Sequence, residues 1–106
     1  MPMTNKRLMQ IQKRIEWVKT QLSQIESMRP GSLTKQYKDP KHQTGPYYQL
    51  SYTLDMRSRT EYIRQPCVRD IRQQVKSYQR FKQLNAEWVR LSIEQSKLLM
   101  KRKLES

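Results

Sequence analysis

Tyr47-Tyr48-Gln49-Leu50-Ser51-Tyr52-Thr53-Leu54 alternates with a period of two, with Tyr48, Leu50, Tyr52 and Leu54 on one side and Tyr47, Gln49, Ser51 and Thr53 on the other. Its aromatic content agrees with that period, so the stretch predicts a half-buried strand. Asp55-Met56-Arg57-Ser58 supplies a turn, and Arg59 to Arg64 returns with Tyr62 and Ile63. The expectation is a β-hairpin over residues 47–64. A lone hairpin is marginal in water, so one face must rest on other elements.

The elements before and after it read as helices. Leu8, Ile11, Ile15, Val18, Leu22 and Ile25 are spaced 3, 4, 3, 4 and 3 apart, the a/d rhythm of a coiled coil. Thr4 or Asn5 caps the start, and Arg29-Pro30-Gly31 closes the end, which predicts a helix over residues 5–28. Its apolar seam is narrow, so it needs a second stripe. Residues 66–104 supply one: Pro66 suits the first turn, Asp70 suits the positive helix end, and Ile71, Val75, Tyr78, Phe81, Leu84, Trp88, Leu91 and Leu98 follow on one side. The spacing contracts around Tyr78, Phe81 and Leu84, a stammer in the repeat. Gln95 sits in the seam, either as a buried amide that sets register or as an exposed side chain near the helix end.

An antiparallel pairing of these two helices leaves roughly 15 residues of the longer one unmatched, on the order of 20 Å. Leu98, Leu99 and Leu104 are then exposed unless the end frays or meets another chain. Residues 29–46, with Pro30, Gly31, Pro40, Gly45 and Pro46, read as a basic loop. The expected fold is α+β and mainly α: one domain over 1–106 in the order α-β-β-α, two long helices in an antiparallel coiled-coil-like pair with a central β-hairpin.

Charge narrows the function. The chain has 106 residues, 22 Lys plus Arg and 9 Asp plus Glu, for a net charge of +13. Residues 1–28 carry 5 basic and 2 acidic side chains, 29–46 carry 4 and 1, 47–65 carry 3 and 2, and 66–106 carry 10 and 4. No low-complexity tail holds the excess, so a structured basic surface is expected. The longest apolar run is Leu98-Leu99-Met100, far short of the roughly 20 residues of a membrane span, and the polar start carries no secretory signal. The expected location is intracellular and cytoplasmic, with no membrane partner. Cys67 and His42, each the only one of its kind, exclude an internal disulfide and furnish no ordinary zinc site.

Pro30-Gly31-Ser32-Leu33-Thr34-Lys35-Gln36-Tyr37 and Gly45-Pro46-Tyr47-Tyr48-Gln49-Leu50-Ser51-Tyr52-Thr53, followed by an Arg- and Thr-rich return strand and a long helix with Tyr78, Arg80-Phe81 and Trp88, carry a resemblance. The chain resembles, over most of its length, a family of small bacterial and archaeal proteins of unknown function. The resemblance implies a prokaryotic or mobile-element-encoded protein, since such proteins often lie near mobile-element genes. Members of that family often carry a cysteine cluster between the two motifs. Here Lys38-Asp39-Pro40-Lys41-His42-Gln43-Thr44 fills the gap, so a metal role does not carry over, and His42 reads as an exposed loop residue.

Catalysis finds no support in the residues. The lone His and Cys lie in different elements, and no phosphate loop, dinucleotide fingerprint or calcium loop is present. The expectation is a non-enzymatic protein without metal or cofactor. Cations on ordered elements instead suit a phosphate backbone, bound by release of counterions. The candidate nucleic-acid surface is Lys35, Lys38 and Lys41 in the loop, Arg57 and Arg59 at the hairpin tip, Arg64 beyond it, and Arg69 and Arg72 at the start of the long helix. Tyr47 and Tyr48 offer rings to unpaired bases, or the ribbon enters a major groove. Tyr48, Leu50, Tyr52 and Ile63 suit hairpin core better, which leaves Tyr47 as the stacking candidate. Lys97, Lys101, Arg102 and Lys103 read either as a second phosphate patch or as a solvated helix end that meets the C-terminal dipole.

The expected function is a non-catalytic nucleic-acid-binding accessory protein, holding DNA or RNA as a subunit of a mobile-element or defence nucleoprotein complex. The alternative is a coiled-coil adaptor that docks a larger protein partner or self-associates through its helices.

Overall fold

In the computed structural model, which describes residues 2–105, the chain runs α1 (Pro2–Ser23), β1 (Ser32–Asp39), β2 (Thr44–Leu54), β3 (Arg57–Ile63), a 3-10 turn (Gln65–Cys67) and α2 (Val68–Glu105). Packing divides it into two units, one of residues up to Ile25 with those from Phe81 onward, the other Glu26–Arg80. α2 contributes to both. Its predicted spacing contraction at Tyr78, Phe81 and Leu84 falls where it passes from one unit to the other.

In the helical unit, the centre of the first seam becomes core. Ile11, Ile15 and Val18 are buried, as is Leu84 of α2. Polar links flank this row. Arg102 donates to Asn5 Oδ1 (3.2 Å), Arg7 to both carboxylate oxygens of Glu94 (2.6 and 2.8 Å), Gln95 to Gln12 Oε1 (3.0 Å), and Arg14 to both oxygens of Glu87. Partner positions descend along α2 as they rise along α1. Gln95 thus stands half-buried and bonded, between the two expected states.

α1 stops five residues before the expected end at 28. Ser23 Oγ donates to Thr20 O (2.7 Å), and the N–H groups of Gln24 and Ile25 bond back to Gln21 O and Leu22 O (3.2 and 3.1 Å). Hydroxyl back-bonding and three-residue bonds tighten the last turn and end the helix. The expected overhang of the long helix is also corrected. Arg102 is matched to Asn5, and the extra length lies at the other end of α2, in the sheet unit. Leu104 is exposed all the same, and Leu98 is half-buried.

The sheet has three antiparallel strands in the order β1-β2-β3, not two. The expected basic loop over 29–46 holds β1. Its period-two signal is faint because only Leu33 and Tyr37 are even partly buried along the strand, with the exposed Lys35 between them. The chain enters β1 through Arg29, whose N–H donates to Gln74 O (3.1 Å) and whose guanidinium pairs with Glu61 and lies 5.1 Å from the Tyr52 ring centroid. Gly31 follows with φ +125°, and a Cβ there would stand 2.5 Å from Ser51 O, so the backbone approach itself demands glycine. The glycines that suggested a connector mark strand ends.

The core of this unit is Leu50, Ile63, Val68 and Val75, with Leu33, Tyr48, Tyr52 and Ile71 packed around them. The first turns of α2 therefore cover the sheet face that carries Leu33, Tyr48, Leu50, Tyr52 and Ile63. The hairpin phase read from 47–54 survives intact. The β2–β3 turn is tighter than expected, two residues long, with Asp55 and Met56 at φ 52° and 63°.

Candidate nucleic-acid interface

Register assigns every strand side chain to one of two faces. Leu33 pairs with Leu50, Lys35 with Tyr48, Tyr48 with Ile63, and Tyr52 with Arg59, so these share the face that α2 covers. The opposite face is open. It carries the rows Ser32–Ser51–Thr60, Thr34–Gln49–Tyr62 and Gln36–Tyr47, hydroxyls and amides broken only by two tyrosines. The Tyr47 and Tyr62 rings lie diagonally, with centroids 6.1 Å apart and planes tilted 33°. Tyr62 is 64% exposed.

Two cations flank this pair. Lys38 follows Gln36 by strand alternation and runs over Gly45, where a Cβ would meet the lysine Cβ at 3.0 Å and its Cγ at 3.3 Å. Arg64 is extended (φ −70°, ψ 147°), so the β2–β3 register continues to set it opposite Tyr47, on the side of Tyr62. Among the described residues neither is in an ion pair; the carboxylates that are paired, Asp39, Glu61, Glu87 and Glu94, hold His42, Arg29, Arg14 and Arg7.

The single patch expected from the sequence divides. Lys38 and Arg64 join Tyr47 on the open face. Lys35 lies on the covered face, 5.6 Å from the Tyr37 ring centroid. Arg72 borders a groove of about 320 Å³ between residues 31–33 and α2. Arg69 is one turn earlier on the same helix, exposed. Lys41 sits in the four-residue β1–β2 turn, where Asp39 accepts from the His42 N–H (3.3 Å) and pairs with His42 Nδ1 (2.8 Å). Arg57 and Arg59 stand at the other turn; across the 11 residues of β2 the two turns are about 30 Å apart, at roughly 3.3 Å per residue.

Two members of these surfaces escaped the sequence reading. Tyr62 pairs with Tyr47 only once the register is known. Lys76 lines the groove with Arg72 and Gln79, and the four-residue spacing of Arg72 and Lys76 on a helix was the legible signal. Among the described residues, no cluster of His, Cys, Asp and Glu is arranged to hold a metal ion, and no helix is long and apolar enough to cross a membrane.

A family profile described as "Domain of unknown function (DUF6788)" matches residues 8–73, more than half of the chain. The chain belongs to that family. The DUF6788 match takes in all three strands and the first turns of α2, so Lys38, Tyr47, Tyr62, Arg64 and Arg72 all lie within it. No curated protein and no solved structure matches this DUF6788 chain.

Proposed function

We propose that this protein is a non-catalytic nucleic-acid-binding accessory subunit that grips the phosphate backbone through the sheet unit. The observation that carries the reading is the set of cations there without carboxylate partners among the described residues: Lys38 and Arg64 on the open face, and Arg72 and Lys76 along the groove. Glu61 holds Arg29 within the same unit, and the sheet-unit cations left without such a partner are free to displace counterions. Its setting is an intracellular mobile-element or defence nucleoprotein complex, in which another subunit performs the chemistry.

Fluorescence anisotropy with labelled duplex DNA, single strands and structured RNA tests this. Affinity falls steeply as salt rises, and Lys38→Glu with Arg64→Glu weakens binding to every probe by more than tenfold, with a shallower salt slope. Arg57→Glu with Arg59→Glu, at the far turn, costs less. Absence of binding at low salt overturns the reading.

A second reading is favoured by one feature of the helical unit. Val89, Ile93 and Met100 form an exposed apolar row on α2. We read α1 and the second half of α2 as an antiparallel coiled-coil-like pair whose outer row docks a larger partner or a second copy. Solution mass tests self-association: a strict monomer removes the dimeric form.

A further inference from the structure

We infer that the open sheet face binds an unpaired stretch of nucleic acid, with bases stacked on Tyr47 and Tyr62; the inference rests on the nucleic-acid reading above and adds the class of strand. The two rings have no part in the core, which is built from the opposite face. They are the large apolar groups on a surface otherwise made of hydroxyls, amides and the two cations, and Tyr62 is 64% exposed. A half-buried Tyr47 ring beside the exposed Tyr62 ring on an open sheet face is a stacking platform, and every base offers a face to it.

The surroundings match a single strand rather than a duplex. Bases in a duplex are stacked on one another and present only their edges, whereas an unpaired base is free to lie on a ring. Gln36 pairs with Tyr47 and Gln49 with Tyr62 across the strands. Gln36 donates one amide hydrogen to Thr34 Oγ1 (3.2 Å) and keeps its second hydrogen and its carbonyl oxygen for the edge of a base on the neighbouring ring, as does the amide of Gln49. Lys38 on β1 and Arg64 beyond β3 stand on either side of β2, two strand spacings apart and offset by two residues along it, roughly 12 Å in all, and take phosphates on either side of the stacked bases. The Lys38 stem lies beside Gly45, in space that a side chain at 45 would contest.

The test uses the full chain, a fluorescein-labelled 12-nucleotide oligo(dT), the oligo(U) of equal length, and a labelled 12-base-pair duplex. Oligo(dT) or oligo(U) binds more tightly than the duplex. Tyr62→Ala and Tyr47→Ala each lower single-strand affinity about tenfold, leave duplex affinity unchanged, and leave the salt slope unchanged because no phosphate contact is removed. Tyr62→Phe and Tyr47→Phe retain the affinity. Should an alanine variant unfold, Tyr62→Thr and Tyr47→Thr keep a strand-forming residue and carry the same expectation. Equal loss on duplex and single strand, or no loss on either, overturns the platform while the nucleic-acid reading stands. Failure of all three probes to bind at low salt overturns both.

Discussion

Gly45 lies across the strand pair from Lys38, and the lysine stem occupies the space beside the position where a Cβ at 45 would project. Gly45 also has φ +65°, a left-handed conformation that an L side chain adopts at a cost of about 1–2 kcal/mol. Gly45→Ala should therefore lower the stability of the sheet unit by roughly that amount and lift Lys38 from the open face. Urea denaturation reads the first effect. Weaker oligonucleotide binding by the folded variant reads the second.

Met56 has the opposite problem. It holds φ 63° at the tip of the β2–β3 turn, beside Asp55 at φ 52°, and its side chain is 96% exposed. A two-residue turn with both central residues at positive φ favours Asp-Gly. Met56→Gly relieves strain and loses no packing, so it should stabilise the protein by about 0.5–1 kcal/mol after the larger chain entropy of glycine is counted. The urea midpoint rises with its slope unchanged.

Leu50 is fully buried at the centre of the sheet-unit core, and Leu54, four residues on along the same face, is half exposed. Leu50→Ala should cost about 2–5 kcal/mol, enough to unfold much of a small domain. Leu54→Ala should stay near 0.5 kcal/mol. Paired thermal melts check the contrast, which depends on position along the strand and not on residue type.

Glu87 and Glu94 are both held below the usual glutamate range, Glu87 by the hydrogen bond from Arg14 and Glu94 by that from Arg7. A depressed folded pKa adds stability that is present above the unfolded value, about 4.3, and is lost as pH falls through the lower folded values. Glu87→Gln with Glu94→Gln should thus weaken the helical unit modestly at pH 7 and leave it equal to the parent near pH 2. Helical circular dichroism against temperature at the two pH values measures this. The swap Arg14→Glu with Glu87→Arg should recover more stability than either single change.

Much of this fold was legible because local periodicity is strong in two places. The 3-4 spacing from Leu8 to Ile25 and the period of two from Tyr47 to Leu54 both reappear as burial, with Ile11, Ile15, Val18 and Leu50 at their centres. β1 was not legible because an edge strand with Lys35 between its two half-buried residues has almost no apolar phase. The end of α1 was hidden for another reason: the helix ends at Ser23 in three-residue turns, well ahead of the Pro30 that appeared to close it.

By itself the amino-acid sequence determined the helices, the phase of the central strand, the net charge of +13 and the residue types able to meet phosphate or base. Those properties are local or additive, and they do not depend on which segments become neighbours. Only the tertiary structure decided which cations share a surface. Antiparallel register sent Arg57 and Arg59 to one end of the sheet and set Lys38, Tyr47, Tyr62 and Arg64 together at the other, on the face that α2 leaves open. The reason is that cross-strand pairing joins residues distant in the chain: Gln36 meets Tyr47, and Gln49 meets Tyr62, through backbone hydrogen bonds that no side-chain pattern announces.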